Sequence, residues 1–138
     1  MTNRIRRIAW YVVWLVPSIS AAAAERPNIV FVIADDCTYR DVGCYGVQAH
    51  TPHIDRLAEQ GMRFTQSFQA APMCSPTRHC IYTGLYPVKS GAYPQRTFAK
   101  PGTRSIVHYL EPLGYRVVLN GKTHIAPKSV FPFEYAGT

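Results

Sequence analysis

The chain has 138 residues, enough for one compact domain and short for an enzyme built on a large sheet. Hydrophobic residues make up 47% and charged residues 17%, which argues against a disordered polypeptide, while 11 prolines imply many loops and turns. The formal charge of +7 shrinks once it is located: Arg4, Arg6 and Arg7 stand at the extreme N-terminus, and taking those three from 15 Lys and Arg leaves 12 against 8 Asp and Glu, a surplus too small and scattered for a nucleic-acid surface.

Residues 1–24 read as an export signal. A basic stretch ends at Arg7, an apolar run extends from Ile8 to Val16, and Pro17 precedes the small-residue string Ala21 to Ala24, after which cleavage is expected. The apolar run is shorter than the roughly 20 residues that cross a bilayer, so no stable membrane span is expected once the signal is gone. The mature product, residues 25–138, is expected to be exported, periplasmic or secreted. Cys37, Cys44, Cys74 and Cys80 form an even set that oxidising conditions permit to pair, and no C-x-x-C spacing suggests a zinc site.

Beyond the signal, strand-like and helix-like segments alternate, the pattern of an α/β sheet with helical crossovers. Asn28 to Ala34 is a continuous apolar run rich in β-branched residues, which predicts a strand buried on both faces. Thr51, Pro52 and Gly61 bracket a short helix as N-cap, first helical residue and stop. Arg63 to Gln69 alternates Phe64 and Phe68 with polar residues and predicts a strand. Ser75 and Pro76 open a second helix that runs through Thr83, leaving Cys74 at its N-terminus. Thr103 caps a third helix carrying Ile106, Val107 and Leu110, and Gly114 to Asn120 returns as a strand.

Function in such sheets collects where strands end, and three candidate sites fall at such places. Asp35 and Asp36 follow the first predicted strand; adjacent carboxylates repel, so a cation stabilises them, and oxygen-only ligands suit Ca²⁺ or, less well, Mg²⁺. Alone, the pair also fits a solvated turn. Cys74 and Arg78 lie four apart on one helical face, where the guanidinium and the helix N-terminus both favour an anionic or polarised group at position 74. Alone, they also fit a buried thiol beside a surface arginine. Lys122 and His124 follow the last predicted strand after Gly121, a pattern that an ordinary surface loop shares.

Together the three change the reading. Asp35-Asp36 after one strand, Cys74-Ser75-Pro76-Thr77-Arg78 with Thr83-Gly84 closing the next turn, and Gly121-Lys122-Thr123-His124 after a later strand resemble, in that order, the N-terminal part of the sulfatases. Asp41 to Gly46 and Thr51 to Ala58 look like further stretches of the family, and the similarity runs from Arg26 to the last residue. Gly121 to Pro127 with Val130 to Tyr135 is similar to the sulfamidase branch, the N-sulfoglucosamine sulfohydrolases acting on heparan-type sugars. Gly114-Tyr115 before Gly121-Lys122 matches a second signature of the family in outline, but Val117 and Asn120 fit it poorly, Thr123 departs from the tryptophan common in arylsulfatases, and Tyr82 replaces an aliphatic residue.

The resemblance implies an alkaline-phosphatase-like α/β/α sandwich with a mostly parallel sheet, here partial and incomplete at the C-terminal side. It implies a hydrolase in which Cys74, converted to formylglycine by a maturase, attacks sulfate. Asp35, Asp36 and the modified Cys74 would contact Ca²⁺, Arg78 and His124 would steady the nucleophile, and Lys122 would clamp a sulfate oxygen. The substrate would be a sulfated carbohydrate or an aryl sulfate. With Cys74 modified, Cys37 with Cys44 is one pairing left open. Because the family's remaining metal and sulfate groups have no counterpart here, the chain is expected to be an N-terminal fragment with little turnover of its own. A phosphonate or phosphate monoester hydrolase of the same wider fold, and a non-catalytic exported remnant, are the alternatives.

Overall fold

A computed structural model of the chain describes residues 26–137. The expected export signal over residues 1–24 lies outside the described residues. Two units divide the chain, Met1–Val32 and Ile33–Thr138. Of the first, residues 26–32 carry no regular secondary structure, and Ile29, Val30, Phe31 and Val32 are exposed. The strand expected over Asn28 to Ala34 is therefore absent. Apolar side chains favour an extended backbone, but a strand forms only where a neighbour completes its ladder and covers its faces.

The second unit opens with tight turns. Thr38 Oγ1 accepts the Arg40 N–H and the Asp41 carboxylate accepts the Thr38 N–H at 2.7 Å, a reciprocal cap on the 3₁₀ turn Tyr39–Asp41. A second 3₁₀ turn, Gly43–Tyr45, follows directly. Helix α1, Pro52–Gln60, starts and stops where the sequence predicts. Thr51, however, does not cap it: its hydroxyl accepts the Gly43 N–H at 2.8 Å and donates to Asp55 at 2.9 Å, tying the helix entry to the preceding turn. Only glycine fits at 43, because a Cβ there would stand 2.7 Å from the Ala49 carbonyl oxygen and the Asp55 carboxylate. The strand expected from Arg63 to Gln69 is irregular chain with Phe64 and Phe68 exposed, again without a paired neighbour.

Helix α2, Cys74–Thr83, is the centre of the unit. Pro76 lies in the first turn, where a missing N–H costs no helical bond. Gly84 closes the helix in the left-handed region at φ 70°, donating its N–H to the Cys80 carbonyl. The helix buries Ser75, Pro76, Arg78, His79 and Tyr82. Two short helices follow, α3, Pro87–Ser90, and α4, Val107–Leu110, the latter continuing into a 3₁₀ turn, Glu111–Leu113. The third predicted helix is thus shorter than expected and Thr103 does not cap it: the Ser105 N–H is taken by His108 instead, and Pro112 cannot extend the ladder.

Strand β1, Val118–Asn120, pairs in parallel with β2, Glu134–Ala136, in the register Val118 to Glu134, Leu119 to Tyr135 and Asn120 to Ala136. Only the last three residues of the predicted Gly114 to Asn120 strand are laddered, because β2 offers three partners. The chain is therefore a partial α/β fold of helices around a small parallel sheet, as the sequence predicts. Its core is Tyr82, Ala99, Val107, Val130, Phe131 and Phe133, with Ile33, Val117 and Leu119 packed against it. Phe131 is fully buried, with the His79 ring edge-on at 4.9 Å and the Tyr82 ring at 6.4 Å. Phe131→Ala is expected to destabilise the unit by about 3–5 kcal/mol, read from urea unfolding followed by circular dichroism.

Candidate active site

Cys74, the first residue of α2, opens onto a cleft of about 630 Å³ whose walls include Asp35, Asp36, Arg78, Gln95 and Lys122. A larger cavity, about 810 Å³, lies between the Gly43 turn and α1 and contains none of these residues. Each group arrives from a different segment. Cys74 and Arg78 are one helical turn apart on α2, Asp35 and Asp36 come from the chain before the Tyr39 turn, and Lys122 and His124 come from the loop after β1.

Arg78 binds these segments together. Its guanidinium donates from Nη1 to the Lys122 carbonyl at 2.9 Å and from Nη2 to Asp35 Oδ1 at 3.2 Å. The Arg78 side chain is only 6% exposed, against 39% for Asp35 and 45% for Lys122. The Lys122 ammonium donates to the second Asp35 oxygen, Oδ2. Hydrogen bonds from Lys122 and then Arg78 hold the Asp35 carboxyl below its usual range, and the bond to Asp35 in turn raises the Lys122 ammonium above its own.

Around Cys74 the chemistry is that of a stabilised anion. Gln95 donates its amide N–H to Sγ at 2.9 Å, and His124 Nδ1 lies 3.1 Å away. The Gln95 hydrogen bond, the Lys122 charge and the backbone N–H groups at the helix start lower the thiol below its ordinary value, against a partial opposing effect of burial. Asp36 and His124 both have positive φ, 61° and 48°, a region that costs non-glycine residues about 1 kcal/mol or more and collects at functional sites.

The structure thus forms two hydrogen-bonded groups, Asp35 with Arg78 and Lys122, and Cys74 with His124 and Gln95; the Lys122 charge acts on Cys74, and Asp36 stands on the wall of the same cleft. Gln95 was not singled out by sequence: it follows Pro94 in an irregular stretch, and a lone amide there belongs to no spacing or period. All four cysteines are free thiols, so the Cys37 and Cys44 pairing is not formed. Among the described residues no group of three or more His, Cys, Asp or Glu side chains gathers closely enough to hold a metal ion. Asp35 and Asp36 have the donor chemistry of a hard-cation site, but both Asp35 oxygens are already committed to cationic side chains.

The matching family model is Sulfatase, over residues 27–136. The chain belongs to the sulfatase family. It is 41% identical over 116 residues to an ulvan-active sulfatase of Formosa agariphila, covering 83% of this chain and 23% of that protein. It is 38% identical over 137 residues to human steryl-sulfatase, covering 91% and 24%, and 36% identical over 121 residues to human arylsulfatase A, covering 80% and 24%. This sulfatase chain therefore spans about a quarter of the length of the curated relatives it matches. These relatives do not single out the sulfamidase branch that residues 121–135 resemble.

Two measurements probe the site. Gln95→Leu is expected to slow alkylation of Cys74 at neutral pH by roughly fivefold or more, since the thiol loses its strongest hydrogen-bond donor, as read by mass spectrometry of the Cys74 peptide. Arg78→Met is expected to cost about 2 kcal/mol in urea unfolding, below the loss from a fully buried pair because Asp35 keeps contact with solvent.

Proposed function

We propose that this chain carries the nucleophile-bearing segment of a hydrolase that removes sulfate groups, with residue 74 as the attacking group. The observation that supports this reading most is the position of Cys74 Sγ at the start of a helix, within reach of His124 and Gln95 and sharing a cleft with Lys122, Arg78 and two carboxylates. In the mature protein the sulfur would mark the place of an oxygen. Formylglycine at 74, made by a maturase, would supply as its hydrate one hydroxyl for attack on the substrate's sulfur, with the S–O or S–N bond to the substrate breaking and its alcohol or amine leaving. A second hydroxyl, on losing its proton, would expel sulfate and restore the aldehyde.

The residues of this chain would then act as follows. His124 takes or holds the proton at the residue-74 oxygen, from the position its Nδ1 has beside Sγ. The helix N-terminus and Gln95 orient that oxygen and stabilise its negative charge. Lys122 faces a sulfate oxygen, where a fixed cation stabilises developing charge better than water does. Arg78, buried and bonded to the Lys122 backbone, sets where the lysine stands. Asp35 and Asp36 would contribute to a Ca²⁺ site, with Mg²⁺ the lesser candidate, and the metal would draw charge from the sulfate. Asp35 would have to exchange Lys122 for the cation, and two carboxylates do not complete a shell of six to eight oxygens.

A sulfated carbohydrate or an aryl sulfate is the substrate class. The likeness of residues 121–135 to sulfamidases and the activity on ulvan stated in one relative's name favour the carbohydrate. Residues 1–24 would direct export to the periplasm or medium, and N-terminal sequencing of the secreted product should begin at Glu25. No helix among the described residues is long and apolar enough to cross a membrane.

The deciding experiment expresses the longest open reading frame containing this chain alongside a maturase, and assays an aryl sulfate, glucosamine N-sulfate and a phosphate monoester side by side. Sulfate release should exceed phosphate release, the Cys74 peptide should show the aldehyde mass, and Lys122→Ala should lower the rate by about two decades, or about 3 kcal/mol. Faster phosphate release would make the protein a phosphate monoester hydrolase, and an unmodified thiol with no turnover would make it a remnant. Residues 25–138 alone should turn over little and bind Ca²⁺ at millimolar strength or weaker by calorimetry; the rate of a complete enzyme would refute this.

A further inference from the structure

His79 follows Arg78 on α2, is fully buried, and is absorbed by none of the roles above. Its ring is edge-on to Phe131, a place that an aromatic hydrocarbon would fill equally well. Its two nitrogens both face backbone groups, with the Ser75 hydroxyl a further 3.4 Å neighbour of Nδ1. Nδ1 lies 2.8 Å from the Ser75 carbonyl, which only accepts, so this nitrogen carries a hydrogen. Nε2 faces Ala126, 3.3 Å from its N–H and 3.0 Å from its carbonyl oxygen. With a hydrogen on Nδ1, the ring accepts the Ala126 N–H at Nε2, while the Ala126 carbonyl accepts the Ala99 N–H at 2.9 Å.

Ala126 is one end of a five-residue bow whose other end, Lys122, is held by Arg78. Adjacent residues of α2 thus fasten both ends of the segment that carries Lys122 and His124. At the middle of the bow His124 keeps φ 48°, a conformation that persists only where its surroundings fix it, and from there its ring reaches Cys74.

We propose that His79 is a positioning residue: through Ala126 it fastens the Lys122 to Ala126 bow to helix α2 and so places His124 against residue 74. This rests on the reading that His124 acts on residue 74. The test uses this chain produced without a maturase, so that Cys74 keeps its thiol, and measures iodoacetamide alkylation of Cys74 at pH 7 by peptide mass spectrometry, with Cys80 as internal reference. Amide hydrogen exchange at Ala126 is followed in the same samples.

His124→Ala should slow Cys74 alkylation by about fivefold, and His79→Phe, which keeps the contact with Phe131, should slow it by a similar factor. The double variant should be no slower than either alone, because both changes remove one interaction. His79→Gln, whose amide is long enough to reach Ala126, should stay within about twofold of the wild type and retain Ala126 protection. A slowed His124→Ala beside an unchanged, folded His79→Phe overturns the proposal alone, as do additive losses in the double variant. An unchanged His124→Ala overturns the underlying reading and the proposal with it. Should His79→Phe fail to fold, His79→Asn, too short to reach Ala126, must be slowed where His79→Gln is not; equal rates in the two overturn the proposal.

Discussion

Arg78 is the constraint on which the site depends. A guanidinium that is almost wholly buried is costly unless its donors are met, and here Nη1 and Nη2 are met by groups more than 40 residues away in sequence, the Lys122 carbonyl and Asp35, while Nε has no partner among the described residues. Helix α2 sets where Arg78 points, so the same helix that offers Cys74 at its start also fixes the distance from that thiol to the lysine and the carboxylate. A lysine at 78 would bring one compact charge instead of a planar fork, and could not serve a carbonyl and a carboxylate from two defined directions.

The charge balance of the cleft follows from this arrangement. Asp35 is shared between two cations, one buried and one half exposed, and Lys122 is kept charged by that pairing. These three groups together carry one excess positive charge, with the Asp36 carboxylate on the same cleft wall, beside a thiol whose ionised form is favoured. Such a surface stabilises anionic oxygens near residue 74, and it disfavours a second bound cation at Asp35 unless Lys122 moves aside.

What the sequence made legible was local. Ser75 and Pro76 placed the start of α2 to within one residue, Pro52 and Gly61 bounded α1, and three short motifs in order supplied the six candidate site residues, because helix signals and turn chemistry act over a few residues. Pairing is different. Asn28 to Ala34 and Arg63 to Gln69 have strand composition, yet neither is laddered, since composition does not supply the neighbour. Strand β2 was missed for the converse reason: Glu134 to Ala136 has no alternation of its own and is a strand only because Val118 to Asn120 lies beside it. Gln95 escaped because only tertiary structure brings an amide 21 positions later onto Cys74.

The two-stranded ladder has a consequence beyond holding the chain together. Lys122 leaves β1 only two residues after its last rung, Asn120 paired with Ala136. A slip of one position between the strands would displace the lysine by about 3.3 Å along the strand direction and turn every side chain of β1 to the opposite face. Three rungs therefore set where Lys122 enters the cleft, and the ion pair between Arg116 and Glu134 beside the first rung, being largely exposed, adds little to that register.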